Sequence, residues 1–199
     1  RDTMLTFAVA VFFLIITPGP GVLSVAGVGS AFGSRPGIRY IAGLLVGTNL
    51  VALAVVSGLA AIALADANIR HVLLIASAAY LTFLAARIAF SGTKIAFIEA
   101  VKAPGFWGGI TLQAVNPKAY AVNTALFTGF AFWPENLVTE TMLKFLILNG
   151  IWIPIHFLWL FAGVTLHRLN LPAHIQSRIN IAMALSMLAV VGLAAFAPK

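Results

Sequence analysis

A single lysine, Lys118, lies in the middle of a long apolar segment and directly follows the pair Asn116-Pro117. Counted from Trp107, it lies about 17 Å along a helix, which is near the middle of a ~30 Å hydrocarbon core. A charge at that depth costs at least about 2.5–3.5 kcal/mol and needs a partner or water. Its ammonium group is therefore a candidate for binding an anion such as a carboxylate. Snorkelling to the membrane surface is the alternative, although a lysine side chain is too short to cross half a bilayer.

Two proline-containing breaks interrupt apolar segments that are otherwise helical in character. Thr17-Pro18-Gly19-Pro20 breaks the first segment, and Asn116-Pro117 breaks the fourth. Each proline lacks an N–H group and clashes with the carbonyl four residues earlier, so carbonyl oxygens are freed. Thr17 and Asn116 are N-cap residue types that precede a proline, which predicts a half-helix restarting at each break. The positive N-terminal end of such a half-helix attracts a carboxylate. The alternative is that the prolines only kink a membrane helix and bind nothing.

Polar side chains in the second and fifth segments are further candidates. Thr48 and Asn49 follow Gly43-x-x-x-Gly47, a spacing of small residues that lets two helices approach closely. Both can hydrogen-bond either across helices or to a substrate. His156 is the only histidine deep in a segment, and it can relay protons or simply hydrogen-bond between helices.

The fourth segment carries a further trail of polar residues, including Asn123. Gln113, Pro117 and Thr124 recur at helical spacing, which predicts one shared face toward the interior. No Asp or Glu falls inside any predicted segment, so a carboxylate-based proton relay is not expected. The tryptophans are predicted to be anchors at the membrane surface or lipid-facing; they are Trp107, Trp133, Trp152 and Trp159.

The composition requires that lipid surrounds much of the molecule. Of 199 residues, 61% are hydrophobic and 9% are charged, and the mean hydropathy is +1.04, whereas a soluble domain is about half apolar and about a quarter charged. The net charge of +7 does not indicate nucleic acid as a partner, because the positive residues lie at the ends of apolar segments. Cysteine is absent, which excludes disulfides and thiolate metal sites; no cofactor and no bound metal are expected.

Six segments are long enough to cross a membrane as helices, which requires about 20 apolar residues. No period-two alternation appears, so a barrel is not expected. Arg1 and the apolar residues after it do not predict a signal peptide, because no small-residue cleavage site follows. We therefore predict an all-α integral membrane protein that forms a single domain over residues 1–199. The predicted spans are Met4–Val28, Ile38–Leu64, Val72–Phe90, Trp107–Trp133, Met142–Leu166 and Ile179–Ala197.

Six spans divide into two halves of three, about 1–91 and 106–199. Because three is odd, two related halves insert in opposite directions, as in the inverted repeats of many secondary transporters. The first helix of each half is interrupted, and breaks at corresponding positions mark a transport site near the membrane midplane.

The positive residues predict the orientation. Seven Lys or Arg residues lie at the first, third and fifth joints, the segments that connect successive spans, and four lie at the other two joints and the two termini. The positive-inside rule therefore places these three joints in the cytoplasm and both termini outside. The seven residues are Arg35, Arg39, Arg87, Lys94, Lys102, Arg168 and Arg178.

Taken together, the motifs resemble the LysE/RhtB family of amino-acid exporters. The resemblance covers nearly the whole chain and implies proton-driven export of amino acids or related small metabolites across a bacterial inner membrane. The residues that carry it are Thr17-Pro18-Gly19-Pro20, the glycines Gly37, Gly43, Gly47 and Gly58, Tyr80-Leu81, Phe106-x-x-Gly109 and Asn116-Pro117-Lys118.

We therefore expect a transporter whose partners are the lipid bilayer and an amino-acid-like small molecule. Assembly into a homo-oligomer is also compatible with the sequence. Lys118 and the two half-helix N-termini would receive a substrate carboxylate, carbonyls near Ile16 and Gln113 would receive its ammonium group, and Lys118 or His156 would carry the coupling proton. The predicted binding residues are Thr17, Pro18, Gly19, Pro20, Thr48, Asn49, Gln113, Asn116, Pro117 and Lys118.

Three alternatives are left open by the residues alone. A membrane scaffold or assembly subunit would need neither the intramembrane lysine nor the paired breaks. An exporter of another solute, such as a metal ion, is disfavoured by the lack of cysteine and of carboxylates in the spans. An enzyme would need a convergent nucleophile and base or paired metal ligands, and His156 stands alone, so no enzyme is predicted.

Overall fold

The computed structural model describes residues 3–91 and 102–196, and all regular elements in those ranges are α-helices. Three of the Lys and Arg residues counted for the orientation, Arg1, Lys94 and Lys199, lie outside these ranges. The helices are α1 (Met4–Ile16), α2 (Pro20–Phe32), α3 (Ser34–Val56), α4 (Leu59–Ala65), α5 (Ala67–Ala89), α6 (Phe106–Val115), α7 (Pro117–Gly129), α8 (Leu137–Arg168) and α9 (Ala173–Phe196).

Three helices in the described part of the chain, α3, α5 and α8, are long and apolar enough to cross a membrane. The pair α1 and α2 is bent by 51° at the first proline break and adds a fourth span if it is counted as one. The predicted fourth and sixth spans correspond to the pair α6 and α7 and to α9. The all-helical membrane architecture is thus supported, while six spans in two inverted halves stay a prediction.

Several helices extend beyond the predicted span bounds or divide a predicted span, and local capping explains two of these differences. The second span is two helices, because α3 ends before Gly58, whose φ of +79° lies in the left-handed region that favours glycine. Helix α8 starts at Leu137, upstream of the predicted Met142, because the Asn136 side chain accepts a hydrogen bond from the Thr139 N–H at 3.0 Å. This is an ordinary asparagine N-cap.

Two close helix pairs build the frame that holds the breaks: α2 packs along α8, and α3 packs along α6. Gly43 of α3 lies against the backbone of Phe106, and Gly47 lies against the side chain of Gln113. The predicted close contact through Gly43-x-x-x-Gly47 is therefore confirmed. A buried apolar cluster of side chains, including Val25, Tyr40, Leu44, Leu112 and Trp152, fills the space between these pairs.

The pair α2 and α8 depends on Gly163, because a Cβ atom there would overlap the backbone carbonyl of Ala26. Backbone atoms cannot swing aside, so Gly163→Ala is expected to destabilise the fold by roughly 1–3 kcal/mol, as overpacking does. Gly150→Ala on the same helix is the matched control, since nothing lies within 4 Å of its added methyl group. Thermal unfolding in detergent should show a lower Tm for the first variant only. Equal Tm values for the two variants would contradict the close contact between Gly163 and Ala26.

Candidate functional site

The first break joins α1 to α2 through an extended segment of three residues. Thr17 ends α1, and its hydroxyl donates a hydrogen bond of 2.5 Å to the carbonyl of Phe13. Gly19 is the N-cap of α2, and Pro20 is its first residue. The expected restart, with Thr17 as N-cap and Pro18 as the first helical residue, was therefore wrong. Proline suits the first helical residue, where no N–H partner is needed, and this preference fits Pro18 and Pro20 equally.

The second break has the predicted geometry. The Asn116 side chain accepts a hydrogen bond from the Lys118 N–H at 3.1 Å, and Pro117 is the first residue of α7. Asn116 is thus confirmed as the N-cap. Its own amide donates at 3.1 Å to the Gln113 side chain, whose amide reaches the Leu44 carbonyl at 3.5 Å. These bonds fasten the second break to α3.

The two breaks meet at Lys118. Its Nζ donates a hydrogen bond of 2.5 Å to the carbonyl oxygen of Thr17, across 101 residues of sequence. Gly19 makes room for this side chain, since a Cβ there would lie 2.7 Å from the lysine Cδ. Lys118 is therefore tethered to the first break, and its side chain does not extend away from the two interrupted helices.

A small cleft of about 40 Å³ opens between the breaks, which is room for two or three water molecules. One ammonium group lines it, together with several neutral polar side chains, and none of the lining residues is acidic. Six predicted residues line it: Gly19, Thr48, Gln113, Asn116, Lys118 and His156. The other lining residues are Leu14, Ile15, Gly21, Val22, Ala119, Val122, Asn123 and Trp152.

His156 presents a proton-accepting nitrogen to the cleft. Its Nδ1 lies 2.8 Å from the carbonyl of Trp152, and because a carbonyl only accepts, Nδ1 carries the proton. In the neutral ring Nε2 then has a free lone pair, and this atom lies 3.7 Å from where a Cβ of Gly21 would be. Packing of α2 against α8 thus brings the histidine beside the restarted end of α2.

Trp152 does not anchor the protein at the membrane surface as predicted. It is buried and stacks on the His156 ring, with the ring centroids 3.4 Å apart. The two residues are one helical turn apart on α8, so their side chains are neighbours. The stacked tryptophan ring therefore fixes the orientation of the imidazole ring. Trp107 and Trp133, in contrast, are exposed, and Trp159 packs against the edge of the core.

The two half-helix starts differ in the N–H groups that they offer. In the described ranges, the N–H groups of Gly21 and Val22 at the start of α2 have no hydrogen-bond acceptor. At the start of α7, the first N–H groups all bond to Asn116, through its side chain or its carbonyl. Of these two half-helices, α2 is therefore the one with free N–H groups for an anion. The expectation that both ends would share this role was wrong, because Asn116 caps its own helix.

The carbonyl expected to be free at the second break is also engaged. The Gln113 carbonyl accepts the Asn116 N–H at 3.3 Å, which replaces the bond that Pro117 removes. The Tyr120 hydroxyl donates to the Ala114 carbonyl at 2.8 Å. At the first break, the Thr17 carbonyl, next to Ile16, accepts a hydrogen bond from the Lys118 ammonium group.

Several predicted residues lie outside the cleft. The predicted residues that are not among its lining residues are Thr17, Pro18, Pro20, Asn49 and Pro117. Asn49 instead forms two hydrogen bonds of 2.8 Å with Asn149 of α8. Pro117 and Thr124 face outward, so the predicted interior face of the fourth span was wrong. The helix is interrupted at Asn116, so residues after the break point in other directions than they would in one unbroken helix. Asn123 therefore faces the interior, where an unbroken helix would place Thr124.

An ion pair inside α8 escaped sequence analysis. Glu140 and Lys144 are buried, 2.8 Å apart, and one helical turn apart. The Lys144 ammonium also donates to the carbonyls of Phe127 and Phe130, where α7 ends. The i, i+4 spacing of opposite charges was the available signal. It was missed because Glu140 lies just before the predicted span Met142–Leu166, which begins between the two residues.

A larger apolar groove of about 570 Å³ lies on the other face of α7, between this helix and the α4–α5 region. Its one charged residue, Arg70, is already engaged by the carbonyls of Leu64 and Ala65. The groove offers no unengaged charge or cluster of polar groups, so we place the candidate site in the smaller cleft. Among the described residues, no three His, Cys, Asp or Glu side chains are grouped as metal ligands.

Curated proteins of similar sequence are efflux proteins. Cysteine/O-acetylserine efflux proteins of Escherichia coli (strain K12) and Shigella flexneri are each 36% identical to this chain over 115 residues, 57% of the chain and 58% of the relative. The protein of that name from Salmonella typhi is 36% identical over 104 residues, 52% of each. The chain thus spans little more than half the length of the curated relatives it matches. No solved structure matches it significantly.

The match to a family profile extends much further along the chain. Residues 12–197 match the LysE type translocator profile, a range that includes both proline breaks, Lys118 and His156. The expectation drawn from the motifs is confirmed: the chain belongs to the LysE type translocator family.

Proposed function

We propose that this protein is a secondary transporter that exports small, neutral α-amino acids across a bacterial inner membrane in exchange for protons. One observation carries the proposal: a cleft between two helix breaks is lined by the Lys118 ammonium and by no acidic side chain. A transport site at paired helix breaks is typical of secondary transporters. An intramembrane charge that faces such a cleft is a binding group by default.

The substrate carboxylate would bind at Lys118 and at the start of α2. Lys118 now donates to the neutral Thr17 carbonyl, and a carboxylate is a stronger acceptor because the bond is then between charged groups. The free N–H groups of Gly21 and Val22 lie at the positive end of α2 and add two donors. Since the cleft holds about 40 Å³, the α1–α2 bend must open to admit an amino acid.

The lining residues favour a small substrate with no charge on its side chain. Gly19, Gly21 and Ala119 leave space but no countercharge, so a second ammonium group would remain unpaired beside Lys118. The relatives named above are efflux proteins for cysteine and O-acetylserine. Both compounds are small α-amino acids with neutral side chains, which supports assigning this substrate class here.

Coupling to protons would use His156. A proton on its Nε2 places positive charge in the cleft, close to the position of the substrate's ammonium group. Like charges repel strongly where water is scarce, so proton and substrate would occupy the cleft in turn. Alternate occupancy by two ligands is what an exchanger requires.

The orientation and internal symmetry belong to the same proposal. We place both termini outside and the first, third and fifth joints in the cytoplasm, with six spans in two inverted halves that rock against each other. The reciprocal amide bonds between Asn49 and Asn149 support this symmetry. These residues lie on the second helix of each half, and a pseudo-two-fold axis pairs such positions.

Substrate counterflow in proteoliposomes tests the proposed function. Vesicles preloaded with an unlabelled compound are diluted into labelled L-serine, with protein-free vesicles as the control. We expect L-serine, L-cysteine and O-acetyl-L-serine to drive uptake of label, and L-lysine and L-glutamate to drive at least tenfold less. No counterflow with any of these compounds would contradict the proposal and favour a non-transporting scaffold. Equal counterflow with L-lysine would contradict the substrate class.

A further inference from the structure

Asn123 of α7 has a polar atom that the protein leaves unpaired. The side chain is 2% exposed, and its Nδ2 donates a hydrogen bond of 2.8 Å to the Ala119 carbonyl. The carbonyl can only accept, so the amide orientation is determined and Oδ1 is the remaining atom. Among the buried side-chain atoms of the described residues, Asn123 Oδ1 alone has no hydrogen-bond partner.

An unpaired buried acceptor is unfavourable, because the atom has lost water without gaining a donor. An apolar residue of similar size at this position would avoid the loss, and leucine has that size. The position is also inside the site, since Asn123 lines the cleft together with Lys118 and His156. A ligand that enters the cleft can therefore supply the missing donor.

The chemistry of the lining residues identifies that donor. The carboxylate of the substrate binds to Lys118. The ammonium group of the substrate then lies in a cleft that is lined by no acidic residue. The acceptors that the lining side chains offer to this group are then the amide oxygens and the His156 Nε2, and the proposed function assigns the Nε2 to the coupling proton. The Gln113 Oε1 accepts from the Asn116 amide and the Asn116 Oδ1 accepts from the Lys118 N–H, whereas Asn123 Oδ1 is free.

We propose that Asn123 is the specificity residue of the site and that its Oδ1 accepts a hydrogen bond from the substrate's ammonium group. This inference rests on the proposed function. Lys118 and Asn123 together select compounds with both a carboxylate and a primary amine. A compound without the amine leaves Oδ1 buried and unpaired, and sites of this kind reject such analogues strongly.

Competition in the counterflow assay tests the role of Asn123. Uptake of labelled L-serine is inhibited with either unlabelled L-serine or 3-hydroxypropanoate, which is serine without its amine. The ratio of the two half-inhibitory concentrations measures selection for the amine. We expect Asn123→Leu to reduce this ratio about ten- to a hundredfold relative to the wild type, the range for losing a bond to a charged group. Thr124→Ala, on the outward face of the same helix, should keep the wild-type ratio.

Two further measurements separate binding from folding. Because Asn123→Leu removes an unpaired acceptor, its Tm should equal or exceed that of the wild type, which is unusual for a buried asparagine. Asn123→Asp retains an acceptor and should keep selection for the amine. An unchanged ratio in Asn123→Leu, a lower Tm for that variant, or loss of amine selection in Asn123→Asp would overturn the proposal. Absence of counterflow in the wild type would instead refute the proposed function.

Discussion

Replacing Lys118 with alanine is expected to abolish substrate efflux while leaving membrane insertion and abundance unchanged. The lysine is the one ammonium group that lines the cleft, and it joins the first break to the second through the Thr17 carbonyl. Without it, a substrate carboxylate would have to leave water with no countercharge. That loss is worth several kcal/mol for a buried ion, so transport should fall by at least a hundredfold.

Efflux from vesicles loaded with labelled L-serine measures this effect, with protein abundance followed by immunoblot. Lys102→Ala is the matched control, because Lys102 is an exposed lysine at a joint. Lys118→Arg should also impair transport, since the guanidinium is broader than the ammonium and the space beside Gly19 is tight. Efflux at the wild-type rate in Lys118→Ala would refute the role of the lysine in binding.

Replacing His156 with glutamine is expected to abolish uphill transport while preserving substrate counterflow. Glutamine can still donate a hydrogen bond to the Trp152 carbonyl, but it cannot bind a proton from solution. Exchange of one substrate molecule for another needs no proton, whereas accumulation against a gradient does. The variant should therefore equilibrate substrate without concentrating it.

Everted membrane vesicles energised to acidify their interior measure this separation. Wild-type vesicles should accumulate labelled L-serine, and His156→Gln vesicles should reach only the external concentration. His71→Gln is the matched control, because His71 is exposed on α5. Accumulation by His156→Gln at the wild-type level would contradict a coupling role for this histidine and would leave Lys118 as the remaining candidate.

Much of the site was predictable because it depends on local covalent rules. Proline removes an N–H wherever it occurs, so the breaks near Pro18 and Pro117 follow from the chain alone. Asn116 before a proline predicts its own capping role. A lysine far from either end of an apolar segment must turn toward something polar, which predicts that Lys118 faces the interior. Family membership follows from the same motifs.

The errors arose where a residue's role depends on what lies opposite it. Thr17 and Gly19 are both acceptable N-caps, and the packing of α2 on α8 decides that the helix starts at Pro20. Trp152 suits a membrane surface by residue type, yet it lies in the core because His156 and the buried cluster contact it. Glu140 and Lys144 each favour water when alone, and only as a pair do they remain buried.

The sequence by itself determined that the chain is helical, that it is suited to lipid, and that it carries a cation beside two helix breaks. Composition and proline chemistry act over a few residues, so no folded context is needed to infer them. Only the tertiary structure decided which atoms face the cleft. That Lys118 reaches Thr17 and that Asn123 Oδ1 lacks a partner both depend on contacts between segments distant in sequence.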